Sequence, residues 1–156
     1  MKGNRIIGMD MHPDVFAAAA LQGSDPLVAR VEWVQDRQAV PQLESWARKQ
    51  LRLGDLVVLE ASANSFEVAR RLHACGHTAV VLESTQASRV GHNFCNDDRH
   101  SAVKLARVYL SGLAKVVWQP DAITRERREV FFAHRNAVKD TTRCRSRGHR
   151  RRRSTT

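Results

Sequence analysis

Three β-type runs stand in succession at the start of the chain, Arg5–Met11, Val15–Gln22 and Val28–Val34, separated only by the turn segments HPD and GSDP. Connectors this short cannot carry a parallel crossover, which needs a dozen or more residues, so the three runs predict an antiparallel meander. A helical pattern follows over about 41–51, where Val40, Leu43, Trp46, Ala47 and Leu51 share one stripe and Pro41 is tolerable only in the first turn. Leu56–Glu60 (LVVLE) then reads as a buried strand. A second helix follows, with Asn64 as cap, Glu67 completing a capping box and Gly76 closing it. Thr78–Leu82 is a further apolar strand.

Helical patterning returns from Arg99 to near Gly112, with Ala102, Leu105, Ala106 and Tyr109 in one stripe. A last long helix is predicted from about Asp121, after Pro120, to about Arg143. The order is βββαβαβ and then helices. Strand–helix–strand units are right-handed and set the fourth and fifth strands parallel to part of the meander. The expected fold class is therefore α/β with a mixed sheet, as in a ribonuclease-H-like domain, although other α+β sheets accept the same order.

Charge is unevenly spread. The chain carries 26 Lys+Arg against 16 Asp+Glu, a net of +10. Residues 1–98 hold 10 bases and 12 acids, whereas 99–142 hold 9 and 4, and 143–156 hold 7 and none. A slightly acidic domain followed by a basic helix and an arginine tail points to a polyanion, most often nucleic acid; the plainer alternative is a solvated face. Arg128, Arg135 and Lys139, at spacings of seven and four, share one face of the last helix, and Arg143 is one turn further on. The longest apolar run, Val15 to Leu21, is far short of the roughly 20 residues that span a bilayer. The N-terminus has no secretory pattern. Cys75, Cys95 and Cys144 lack CxxC spacing, so a reduced, cytoplasmic protein without a membrane partner is expected.

The acids are the candidates for chemistry. Asp10 interrupts the apolar strand IIGMDM, a costly placement for a carboxylate unless it is paired, metal-bound or at the strand's wet end feeding the turn. Glu60 ends the first strand after the meander, and Glu83 ends the near-copy VVLE. Strand adjacency to Asp10 is what would select Glu60. Asp97 and Asp98 precede a helix and are either N-caps or ligands. Convergent carboxylates are what phosphoryl transfer needs, because hard Mg²⁺ takes oxygen donors. His73, Cys75, His77, His92, Cys95 and His100 lack zinc-site spacing, and no Walker or GxGxxG turn is present.

The segments IIGMDMHPDVFAAAAL, VVLEASANSFEVARRLHACGHTAVVLE, NDDRHSAVKLARVYLSGL and VWQPDAITRERREVFFAHRNAVKDTTRCR, in that order, resemble the N-terminal half of DEDD-type insertion-sequence transposases. These are the RuvC-like, bridge-RNA-guided group related to Piv-type DNA invertases. The resemblance implies a DNA transposase whose RuvC-like domain spans 1–115. A basic helix over 116–145 would start an inter-domain region, and 146–156 would be a disordered arginine-rich tail. It implies Mg²⁺ (or Mn²⁺), DNA, a structured guide RNA, a homo-oligomer in the intact family, and a second domain with a serine nucleophile. By register, Asp10 matches the first acid and Glu60 the second. The block D-x-x-D-A-x-x-L-A places Asp98 third, and Ser101 stands where the fourth acid would be. Catalytic and metal roles are thus expected for Asp10, Glu60 and Asp98. Since the resemblance stops near Arg147, before any serine domain, a truncated copy unable to transpose alone is expected, its end resembling an out-of-frame tail. The competing expectations are a non-catalytic DNA- or RNA-binding module and a Mg²⁺-dependent RuvC-like nuclease or resolvase.

Overall fold

The computed structural model describes residues 5–85 and 101–153. Apolar runs, buried on both faces in the central strands, build a five-stranded mixed sheet from β1 (Arg5–Met11), β2 (Val15–Gln22), β3 (Arg30–Ala39), β4 (Leu56–Glu60) and β5 (Thr78–Leu82). Its order is β3-β2-β1-β4-β5. The meander pairs antiparallel, and β1, β4 and β5 run parallel. An antiparallel meander continued through helical crossovers into parallel strands on its inner side is the ribonuclease-H-like α/β arrangement. Four strands have the bounds their sequence pattern predicts. β3 does not: it begins and ends later than Val28–Val34. Leu27 and Val28 belong instead to the connector, where they are exposed and Asp25 accepts the Leu27 N–H at 2.8 Å.

The two faces of the sheet bury separate cores. On one face, Ile7, Met9, Val57 and Leu59 pack against α1 (Leu43–Gln50) and α2 (Ser65–Ala74) through Trp46, Ala47, Val68 and Leu72. A one-turn 3-10 helix, Val40–Gln42, takes the predicted Pro41 and leads into α1. On the other face, Ile6, Ala19, Leu21 and Val58 pack against α3 (Ser101–Leu110). α3 lies almost on the backbone of β1. A Cβ at Gly8 would stand 1.8 Å from the Ala102 carbonyl oxygen, and the facing β2 partner of Gly8 is the small Ala19. Glycine is needed here for close approach.

At the far edge, the Val117 N–H donates to the Val81 carbonyl at 2.7 Å and the Glu83 N–H to the Lys115 carbonyl at 2.9 Å, so the segment after α3 covers β5. The first compact unit accordingly extends to Trp118, and the second comprises Gln119–Thr156. The second unit is built on α4 (Ala122–Arg153). This helix runs to Arg153, beyond the expected helix end near Arg143. Arginine is a good helix former, and nothing in the run to Arg153 breaks the i→i−4 ladder except one glycine. No helix among the described residues is long and apolar enough to cross a membrane.

Candidate functional site

The carboxyl ends of β1 and β4 bring Asp10 and Glu60 together. Met9 is paired with Leu59, so each acid is the next residue along two adjacent parallel strands. Alternation puts both on the α3 face: Ile6 and Gly8 precede Asp10 at two-residue steps, and Leu56 and Val58 precede Glu60. Glu83 follows β5, one strand beyond β4, and therefore lies on the far side of Glu60 from β1. Strand order therefore sets Glu60, and not Glu83, on the strand next to Asp10. Its carboxyl is held above the ordinary range by burial first, then by the Asp10 charge, with Glu83 adding to the effect and Lys104 opposing it.

α3 runs antiparallel to β1. Near its C-terminal end, the Arg107 guanidinium donates to the carbonyls of Pro26 and Leu27 in the β2–β3 connector, which sits at the Arg5 end of the sheet. Its N-terminus is therefore directed to the acid end, and Ser101, its first residue, lies there with Lys104 one turn on. The positive end of the helix dipole favours carboxylates at that place. Asp98, the expected third ligand, and Asp97 lie outside the described residues. Among the described residues, no group of three or more His, Cys, Asp or Glu is arranged to hold a metal ion. The described donors are two: hard, mutually repelling carboxylates, one oxygen-bearing side chain from each strand. That donor chemistry suits a hard divalent cation as part of a larger set.

Loop residues join the two strand ends. Asn64 was predicted to cap α2, but it makes no side-chain capping bond. Its amide instead donates to the His12 carbonyl at 3.1 Å, tying the β4–α2 loop to the β1–β2 turn. The first turn of α2 is held by Ser65, whose hydroxyl oxygen accepts the Ser62 N–H at 3.0 Å. Glu67 pairs with Arg70 rather than closing a capping box. His12 was not singled out by the sequence. Its Nε2 lies 3.7 Å from Asp10 Oδ2, the Asp10 side chain being 26% exposed. The HPD turn was the available signal: a residue two after a strand-end acid shares its face. Lys104 was missed for lack of the strand register.

Arg128, Arg135, Lys139 and Arg143 are on α4, which is exposed from Glu126 through Cys144. At 100° per residue the four fall within one arc of the helix, and Phe132, 51% exposed, falls in the same arc. Ile123 and Val130, also exposed, lie on the opposite side. This second unit therefore carries a basic face with an aromatic set into it. Arg143 also pairs with Asp140 at 3.5 Å.

No protein-family model matches the sequence, and no curated protein does. Among solved structures, the chain is similar to Thermus thermophilus RuvC at 10% identity and a TM-score of 0.49, covering 72% of this chain and 99% of that one. It is likewise similar to T. thermophilus RuvC in complex with Holliday junction substrate, at 10% identity and a TM-score of 0.48, covering 74% of this chain and all of the other. The fold assignment stands on strand order and helix placement.

Proposed function

We propose that this chain is the RuvC-like N-terminal domain of a DEDD-type DNA transposase or recombinase, acting on DNA phosphodiesters with a divalent metal. The observation that carries the reading is the pairing of Asp10 with Glu60 at adjacent strand ends, on the face to which the N-terminus of α3 is directed. Asp98, three residues before that helix, would complete the ligand set with Asp10 and Glu60. Bound there, Mg²⁺ or Mn²⁺ would supply Lewis-acid polarisation of the phosphoryl oxygens. Asp10 and Glu60 concentrate negative charge at one place and so select a hard cation. Lys104 tempers that charge at Glu60. His12 is placed to hold the outer oxygen of Asp10, and Asn64 fixes the turn that carries His12. Arg128, Arg135, Lys139 and Arg143 would hold the nucleic-acid backbone through phosphate contacts, which position without reading sequence. A structured guide RNA and a homo-oligomer belong to this proposal through the sequence resemblance.

The test is Mg²⁺- or Mn²⁺-dependent cleavage of single-stranded, duplex and four-way-junction DNA by the purified chain. Cleavage should fall at least about 100-fold in Asp10→Asn and Glu60→Gln, as expected when a group stabilising the transition state is removed. Cleavage confined to the junction would support a resolvase rather than a transposase. Tight binding with neither cleavage nor divalent-metal binding would sink the catalytic reading. It would favour the binding module that the basic face of α4 also supports.

A further inference from the structure

A groove of about 360 Å³ lies beside Asp10, lined by His12, Val15, Phe16, Ala17, Asp36 and Arg37. Its cause is a bulge in β3. Phe16 pairs with Gln38 and Ala18 with Gln35, so Ala17 alone on β2 faces both Asp36 and Arg37. The extra residue is accommodated by Arg37 in the left-handed region, at φ 51°, which a bulky side chain adopts only when its surroundings demand it. The Gln38 side-chain amide donates to the Asp36 carbonyl at 2.8 Å and holds the bulge open. Ala17 is the register partner of Asp10, and His12, on the other wall, approaches Asp10 at 3.7 Å. The groove thus adjoins Asp10 through Ala17 and His12.

We infer that this groove is a nucleotide subsite: it receives the nucleotide next to the reacting phosphodiester and holds its phosphate between Arg37 and His12. Its volume is at the small end of ligand pockets and is enough for one nucleotide. The two basic side chains supply hydrogen-bond donors suited to phosphate oxygens, and a guanidinium does so bidentately. Ala17 and Val15 supply apolar floor for the sugar. Asp36 disfavours an anion at its own edge and so confines the phosphate to the side of Arg37 and His12. The inference rests on the proposed function for the ligand's identity as nucleic acid, but not on cleavage.

The experiment is run in chelator, so that it is independent of metal and of catalysis. The full chain is titrated with a fluorescent single-stranded 20-mer of mixed sequence over a salt series. Arg37→Asn removes the charge while keeping a residue that tolerates the left-handed backbone. It should weaken binding about five-fold and make the log–log salt slope shallower by about 0.7, the value for one phosphate contact on a single strand. Arg37→Lys should restore most of the slope. Arg30→Ala, an equal loss of charge at the other end of β3, should change neither. Amide hydrogen exchange on the unmutated chain supplies a second readout: the oligonucleotide should protect residues 12–17 and 35–39. Equal effects of Arg37→Asn and Arg30→Ala, or no protection of those two segments by bound oligonucleotide, would overturn the subsite. Either result leaves the metal-dependent cleavage test of Asp10 and Glu60 standing on its own.

Discussion

The Glu60 and Glu44 carboxyls are displaced in opposite directions, and the causes make opposite predictions. Glu60 is raised by burial and by Asp10, so its charged form is costly wherever no cation is bound. In chelator at neutral pH, Glu60→Gln is expected to raise the thermal midpoint above that of the parent and to lose part of the midpoint gain on adding Mn²⁺. A lowered midpoint in chelator would show that the Glu60 charge is already satisfied without metal. Glu44 is lowered from 4.5 to about 2, chiefly by hydrogen bonds from Arg71, whose Nε and Nη2 lie 2.6 and 2.8 Å from its two oxygens. A depressed carboxylate stabilises the fold above its unfolded-state value and loses that stabilisation as pH falls through its folded value. The difference in unfolding free energy between parent and Arg71→Gln should be constant above about pH 5 and shrink from there toward pH 2. Glu44 is a third exposed, so the pair is worth about 1 kcal/mol, the upper end for surface ion pairs. Chemical denaturation at a series of pH values reads it, and a gap that does not narrow in acid would assign the effect of Arg71 to its bond with the Val40 carbonyl instead.

At the scale of elements, α3 is the part that joins the fold to the site. Its approach to β1 is possible because residue 8 has no side chain and Ala19 faces it from β2. Gly8→Ala forces a methyl into the Ala102 carbonyl, a backbone group that cannot rotate away, and should cost about 3 kcal/mol, the upper part of the range for overpacking. Urea unfolding measures this; a cost below about 1 kcal/mol would mean that α3 shifts freely over the sheet. Ser101 starts the same helix. If it faces the acids, Ser101→Asp should lower the midpoint in chelator and enlarge the rise with Mg²⁺, since metal binding to the folded state stabilises by RT ln(1 + [L]/Kd). If it faces solvent, an acid in the first turn only complements the helix dipole, and the chelator midpoint rises instead. Much of this architecture was legible in the sequence. Continuous apolar runs bounded by turn residues give β1, β2, β4 and β5 their bounds, and short turns against long connectors give the meander and the parallel crossovers. β3 was misplaced because Val28 imitates a strand start while lying in an exposed turn, and because the half-exposed edge strand continues through the polar residues QDRQ, where no apolar run marks it. The acids were legible by type and the Asp10–Glu60 adjacency by topology. The places of His12, Lys104 and the bulge required the register, and a register is a tertiary fact.

At the scale of the whole molecule, the chain's charge is unevenly divided between two compact units. The first holds the acidic pair, which attracts cations and by itself repels phosphate. The second is α4, about 48 Å long at 1.5 Å per residue, with Arg128, Arg135, Lys139, Arg143 and Phe132 in one exposed arc. Affinity for nucleic acid should therefore come mainly from the second unit and be steep in salt. Replacing Arg128, Arg135 and Lys139 together by glutamine removes three phosphate contacts. The log–log salt slope on duplex DNA should become shallower by about 2.7, at 0.9 per contact. These side chains are exposed, so the folded population should not change, and the helical signal in circular dichroism checks this. Phe132→Ala separates two ways of using the same face. A stacked base is worth about 1–3 kcal/mol on an aromatic ring, so affinity for single strands should fall roughly ten-fold. Duplex binding, with its bases paired and inaccessible, should barely move. Equal losses on single strands and duplex would remove the stacking role, and an unchanged slope in the triple variant would show the basic face of α4 to be solvated charge only.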